Sequence, residues 1–295
     1  MIVAEVVRSG FVESVHHGSV VVLPLDETVG DVTSPMFPRS SNKPLQTVGM
    51  LRAGLTVPNG AMLALISGSH YGEAFHVRMV REILASAGLD TDALRCVAAR
   101  PLSDPSRAPE PVLMNCSGKH AGMLATCVAN DWPLDTYLDP KHPLQVALAE
   151  TVADLAGEPI AMTGVDGCGA PVFGFSLTGL ARSFERLVEA PPGSDERRVA
   201  DEMRAHPELV AGTGANDTVL MREVPGLLAK GGAEGVVAVA VPGVGAVALK
   251  IHDGAMRPRT PVLLSALKRL GVRTPQMNEL ILGGGEPVGE VRAVW

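Results

Sequence analysis

Aromatic side chains are scarce in this 295-residue chain, at 3% of its residues. The hydrophobic share is still 46%, so the core has to come from Val, Leu, Ala, Met and Ile, with glycine allowing close packing. Cysteine is scarce as well. Cys96, Cys116, Cys127 and Cys168 are too few for a disulfide scaffold in a chain this long. No charged n-region followed by a long apolar stretch opens the sequence, so reduced thiols in a cytoplasmic protein are the expectation. No apolar run reaches the ~18 residues of a membrane helix. The longest, residues 235–250, is broken by Pro242 and by glycines and reads as two strands. Excess positive charge is missing too: the formal net charge of −7 at pH 7 argues against a nucleic-acid binder, and no basic cluster is present to dock an anionic membrane. What remains is a soluble globular enzyme, built as one large domain or two intimate lobes, with a homodimer as the default assembly.

Residues 2–7, 11–15 and 19–23 are β-rich and separated by turn signals at Ser9-Gly10 and His17-Gly18. Helical spacing is expected over 45–54, 75–88, 120–130, 143–156, 173–187, 199–206 and 262–270, while 61–66 suits a buried strand or a helix segment. Pro191-Pro192-Gly193-Ser194-Asp195-Glu196 reads as a surface loop. Residues 236–240 and 246–251 read as a hairpin. Strands at both ends bracket a mainly helical middle. That order predicts an α/β fold: an antiparallel sheet built from both chain ends, packed with helices, plus a helical lobe at about residues 70–190 of a single domain spanning 1–295.

Chemistry concentrates in Pro38-Arg39-Ser40-Ser41-Asn42-Lys43-Pro44. Ser40 and Lys43 lie three residues apart where a loop enters a helix, a spacing that puts both side chains on one face. Serine needs a base beside it to act as a nucleophile. Lysine serves as that base only if its pKa falls from about 10.4 toward neutrality, which burial and a second nearby cation can bring about. The same spacing recurs as Ser265 and Lys268 inside an ordinary amphipathic helix, so context separates the two. Ser40 precedes Pro44 and a helical run, near a helix N-terminus that favours developing negative charge.

Other segments offer further groups. Ser67-Gly68-Ser69-His70-Tyr71-Gly72-Glu73 is a polar turn in which Ser69, with Ser67 as substitute, is a candidate second hydroxyl. Asn115-Cys116-Ser117-Gly118-Lys119-His120 and Asp166-Gly167-Cys168-Gly169 supply two thiols, an amine and an imidazole without a Cys-x-x-Cys pair. Cys96 and Cys127 fit small buried apolar residues. Lys230-Gly231-Gly232 precedes a strand, where a lysine followed by glycines can aim its amine into a cleft. Gly283-Gly284-Gly285-Glu286 does not match a phosphate loop.

Taken together, these segments, along with Glu13-Ser14 and His17-Gly18, resemble the asparaginase II family of rhizobial-type, thermolabile L-asparaginases, over residues 8–254 and in consistent order. The resemblance implies a fold similar to serine β-lactamases, penicillin-binding proteins and glutaminases, with the site between the sheet and the helical lobe. It makes Ser40 the nucleophile and Lys43 its base, with Ser69 and Lys230 as a second Ser-Lys pair. It further implies a zinc ion (Zn2+) held by Cys116, Lys119 and Cys168, and a substrate pocket lined by His120 and Asp166, with Arg39 pairing a carboxylate. Spacing alone leaves Lys250 open as an alternative to Lys230. The implied activity is hydrolysis of L-asparagine, a small amino-acid amide, to aspartate and ammonia. Two alternatives stay open: another amidohydrolase or esterase of the same fold, such as a glutaminase, and a non-catalytic zinc-stabilised binding protein.

Overall fold

The computed structural model describes residues 1–295. Its main sheet starts with β1 (Ile2–Arg8), β2 (Phe11–Leu23) and the short β3 (Glu27–Val29). After β4 (Pro35–Met36) come the helices α1 (Lys43–Arg52), α2 (Ala61–Ile66), α3 (Ala74–Ser86), α4 (Ser117–Ala129) and α5 (Pro143–Ala156). Strands β5 (Met162–Val165) and β6 (Pro171–Ser176) lead into α6 (Leu177–Glu189), α7 (Asp195–Ala205), α8 (Pro207–Val210) and α9 (Asn216–Glu223). The chain returns to the sheet through β7 (Leu228–Gly231), β8 (Val236–Val241) and β9 (Gly245–Ile251), then α10 (Arg259–Arg269), β10 (Glu279–Gly283) and β11 (Glu286–Ala293).

The sheet runs β10-β11-β1-β2-β9-β8-β7, with β3 added beside β2. Its pairings are antiparallel, and the two chain ends meet in it, Ala4 opposite Ala293 and Gly18 opposite Ile251. A second small sheet, β4-β6-β5, lies among the helices. The expected α/β architecture, an antiparallel sheet from both ends with a helical layer inserted between them, is what the molecule has. Helices α6 and α10 pack on the main sheet, and α1, α2, α3, α4, α5 and α7 pack on one another. One continuous cluster of buried apolar side chains runs from Val3 and Val20 in the sheet to Leu84 and Leu148 in the helices, so sheet and lobe share a core. Between β4 and β7 the helices run from Lys43 to Glu223, interrupted by β5 and β6.

Three local readings are corrected and one open alternative is resolved. Residues 11–15 and 19–23 are one strand, β2, and His17-Gly18 is not a turn. Gly18 is needed there because a Cβ would sit 2.8 Å from Val3 and 2.9 Å from the Lys250 carbonyl. Ser9 and Gly10, by contrast, both have positive φ (49° and 81°) and form the true hairpin turn. The span 173–187 is not all helix. Residues through Ser176 belong to the fully buried strand β6, and α6 starts where the Ser176 hydroxyl accepts the Gly179 N–H at 2.9 Å. Asp195 and Glu196 open α7 behind a Ser194 cap instead of lying in a loop. Residues 61–66 resolve as helix α2.

Candidate active site

Ser40 sits in a single 3-10 turn, Arg39–Asn42, that feeds directly into α1. Lys43 is the first residue of α1 and Pro44 the second, where the missing proline N–H costs nothing. Arg39 is held at φ 52°, a left-handed conformation that costs on the order of 1–3 kcal/mol for a residue with a side chain. Its side chain is anchored, with Nε donating to Asp166 Oδ1 at 2.8 Å and Nη1 3.8 Å from Glu234. The turn is also tied to β7, because Ser41 Oγ donates to the Lys230 carbonyl at 2.9 Å. Gly232 permits this approach: a Cβ there would lie 2.7 Å from the Pro38 carbonyl.

Lys43 is buried at 1% exposure. Its Nζ donates to the Gly68 carbonyl at 2.5 Å and to Ser69 Oγ at 2.9 Å. Ser69 is fixed in turn by its N–H on the Val210 carbonyl at 2.7 Å. Ser67, the substitute hydroxyl, is fully buried and donates to Thr47 Oγ1 at 2.8 Å, a structural bond within the lobe. Lys230 lies in edge strand β7, also 1% exposed, with Nζ donating to the Gly231 carbonyl at 2.6 Å and 3.9 Å from Asp217. Burial, with help from the Lys43 and Arg259 charges, pulls the Lys230 amine down to about 7 against the opposing pull of Asp217.

Ser40, Ser69 and Lys230 line one cavity of ≈ 370 Å³, together with Tyr71, Asn115 and Asp217. Lys250 does not line it. Its Nζ is spent on the Glu234 and Ile251 carbonyls, at 2.7 and 2.6 Å, and it borders a separate cleft with Ser19 and His252. Of the two candidate lysines, therefore, Lys230 shares the space with the two serines.

The second cluster lies beside this cavity. Lys119 Nζ donates to Cys168 Sγ at 3.4 Å, and the Cys116 thiol donates to Asn115 Oδ1 at 3.2 Å. The neighbouring Cys116 side chain and the Lys119 charge pull Cys168 toward the thiolate despite burial. The Cys168 side chain, with burial, pushes Cys116 up. Burial works against the Lys119 ammonium, but the Cys168, Cys116 and Asp166 charges outweigh it and raise the group. Burial also disfavours the Asp166 carboxylate, yet Lys119 and Arg39 hold it below the usual range. All four cysteines are free; Cys96 donates to the Pro111 carbonyl at 3.4 Å, and Cys127 is pushed up to about 12 by burial alone.

The donor set of Cys116, Lys119 and Cys168 fits zinc. The 3.4 Å separation of amine and sulfur is close to the about 3.6 Å that a tetrahedral ion sets between such ligands. One buried atom nearby also waits for a partner. His120 is fully buried, with Nδ1 2.7 Å from the Tyr137 hydroxyl. That hydroxyl also accepts the Arg95 N–H at 3.1 Å. His120 Nε2 has no hydrogen-bond partner. Burial and Lys119 press this ring down to about 3, so it stays neutral. Neither His120, Asp166 nor Arg39 borders the ≈ 370 Å³ cavity. The charged residues that do, besides Lys230, are Asp217 and Arg259. Sequence reading missed both, since neither stands in a recognisable motif.

The family model described as L-asparaginase II matches residues 4–293. A search of curated proteins found no match. Among solved structures, Mglu in its native form in 4.3 M NaCl aligns at 16% identity and TM-score 0.48, covering 87% of this chain and 60% of that one. Mglu in its glutamate form aligns at 14% and 0.47, covering 86% and 60%. A β-lactamase from Mycobacterium bovis aligns at 14% and 0.43, covering 91% and 94%. The chain thus spans about three fifths of the length of these Mglu structures. With the family model covering nearly all of its length, this chain belongs to the L-asparaginase II family.

Proposed function

We propose that the protein is an amidohydrolase, an L-asparaginase that converts L-asparagine and water to L-aspartate and ammonia. The observation that carries this reading is that Ser40, Ser69 and the buried Lys230 line one cavity, with the buried Lys43 donating to Ser69 at its edge. Ser40 Oγ attacks the side-chain carboxamide carbon, and its proton passes to Lys43. The oxyanion forms against backbone N–H groups at the start of α1, including that of Ser40. Ser69, held at 2.9 Å by Lys43, protonates the leaving ammonia and is reprotonated by Lys230, and Lys43 hands the proton it took from Ser40 back through Ser69 to Lys230. Water then hydrolyses the acyl-enzyme and restores Ser40. The near-neutral Lys230 supports this role, since the ideal proton-transfer group has a pKa near the working pH.

Cys116, Lys119 and Cys168 would hold zinc, and a bound ion would supply an orienting charge for the substrate. Lys119 must lose its proton to coordinate. Ammonia release from L-asparagine and L-glutamine, measured on wild type and Ser40→Ala, tests the reading. Release from asparagine alone, abolished in a folded mutant, is expected. Undiminished release by Ser40→Ala would move the nucleophile to Ser69, and preference for glutamine would make the protein a glutaminase.

A further inference from the structure

A free amino-acid amide carries an α-ammonium and an α-carboxylate, and the reading above gives neither a receptor. Arg39, the arginine expected to pair a carboxylate, is already neutralised by Asp166 at 2.8 Å, is approached by Glu234 at 3.8 Å, and does not border the cavity. The wall carries another cation. Arg259 is half-buried and is the first residue of α10. A cation there meets the positive end of the helix, with no acidic residue in the first turn to offset it. Its Nη1 donates to the Gly232 and Val236 carbonyls at 3.2 and 3.4 Å, and no carboxylate oxygen lies within 4.0 Å of the guanidinium. An unpaired, partly desolvated guanidinium in this setting calls for an anion.

Asp217 stands across Gly231 from it. Its Oδ2 accepts the Gly231 N–H at 2.7 Å, which leaves Oδ1 for a ligand. A Cβ at Gly231 would lie 2.6 Å from Arg259 Nη1 and 3.1 Å from Asp217 Oδ1. The missing side chain therefore leaves one cation and one carboxylate facing the same small volume, next to Lys230. The two charged groups on an α-carbon are similarly close together and opposite in sign.

We propose that Arg259 and Asp217 form the specificity-determining pair that holds the α-carboxylate and α-ammonium of a free amino-acid amide. The proposal rests on the hydrolase reading above and names its substrate class. Amides lacking the α-carboxylate leave the guanidinium desolvated and unpaired, so the site rejects them. Peptide-bound asparagine is rejected for the same reason.

The test compares L-asparagine with 3-aminopropanamide, the same amide without its carboxylate, on wild type, Arg259→Gln, Arg259→Lys and Arg39→Gln. Binding of L-aspartate is measured calorimetrically on each, and thermal unfolding checks the fold. Wild type is expected to prefer asparagine strongly. In Arg259→Gln the ratio of the two kcat/KM values falls by about 100-fold, carried mainly by KM for asparagine, and aspartate binding weakens in parallel. Arg259→Lys, which keeps the charge but loses the planar fork, shows a smaller loss of the same kind and serves if the glutamine variant does not fold. An unchanged ratio in both Arg259 variants overturns the pair, as does a selective loss in Arg39→Gln. If wild type hydrolyses neither amide, aspartate binding still decides. Binding that depends on Arg259 keeps the pair and sinks the hydrolase reading, whereas absence of any amino-acid binding sinks the pair.

Discussion

Lys119 and Lys230 are both buried, yet their surroundings push them in opposite directions. Around Lys230 burial dominates and two cations, Lys43 and Arg259, reinforce it, so the amine falls to about 7. Around Lys119 burial acts in the same sense, but a thiolate and a carboxylate, Cys168 and Asp166, reverse it. Depth alone therefore does not set a lysine's charge; the sign of its neighbours does. In the proposed mechanism the cluster around Lys230 moves protons and the cluster around Lys119 would hold a metal ion.

The largest expected effect comes from the proton-transfer side. Lys43→Met or Lys230→Met should lower kcat by about 10²–10⁴-fold. Wild-type kcat should fall with pH through about 7 as Lys230, the proton source for Ser69, loses its proton, and Lys230→Met should abolish that limb. An intact limb in the mutant would assign it to another group. Next comes the thiolate side. Cys168→Ala should weaken zinc binding by 100-fold or more, read by competition with a chromogenic chelator, without unfolding the protein.

A smaller effect concerns stability. Lys230 binds a proton less readily in the folded state (about 7) than in the unfolded chain (10.5). Between those values the unfolded state holds more protons, so stability should rise with pH across that window, and below 7 the whole cost of charging the group is present. Lys230→Met should flatten this rise and lift Tm by several degrees at pH 7; an unchanged Tm would mean that the site relaxes around the charge. Smallest of all, Cys127→Ala should leave zinc affinity unaltered and cost about 1 kcal/mol of stability, measured by denaturant unfolding. A loss of zinc on this substitution would redraw the ligand set.

The sequence made the site's local pieces readable and its long-range pieces opaque. Ser40 and Lys43 share a turn and a helix start, and Cys116 and Lys119 share another, so spacing put each pair together, while the roles expected of them came from the family resemblance. Lys230 was readable through its glycines, whose reason is the approach of Pro38 and Arg259 to Gly232 and Gly231. Asp217 and Arg259 come from α9 and α10 and meet only across β7, so no pattern along the chain marks them. The same limit explains Gly18. A glycine at a turn and a glycine under a neighbouring strand look identical in sequence, and only the Val3 and Lys250 contacts separate them. Residues 173–187 misled for a related reason: the apolar alternation of β6 runs into α6 at Ser176 without a break.

The pairing of β1 with β11 and of β2 with β9 has a kinetic consequence. Each joins segments more than two hundred residues apart, so loop closure precedes any reward from the ladder and folding is slow. During synthesis Ser40 and Lys43 emerge early, but β7, β8 and β9 emerge late. Until they do, β2 has no β9 beside it and the turn bearing Ser40 has no β7 to grip. The nascent chain therefore carries Ser40, the proposed nucleophile, in a half-built lobe whose unpaired β2 is open to association with other chains.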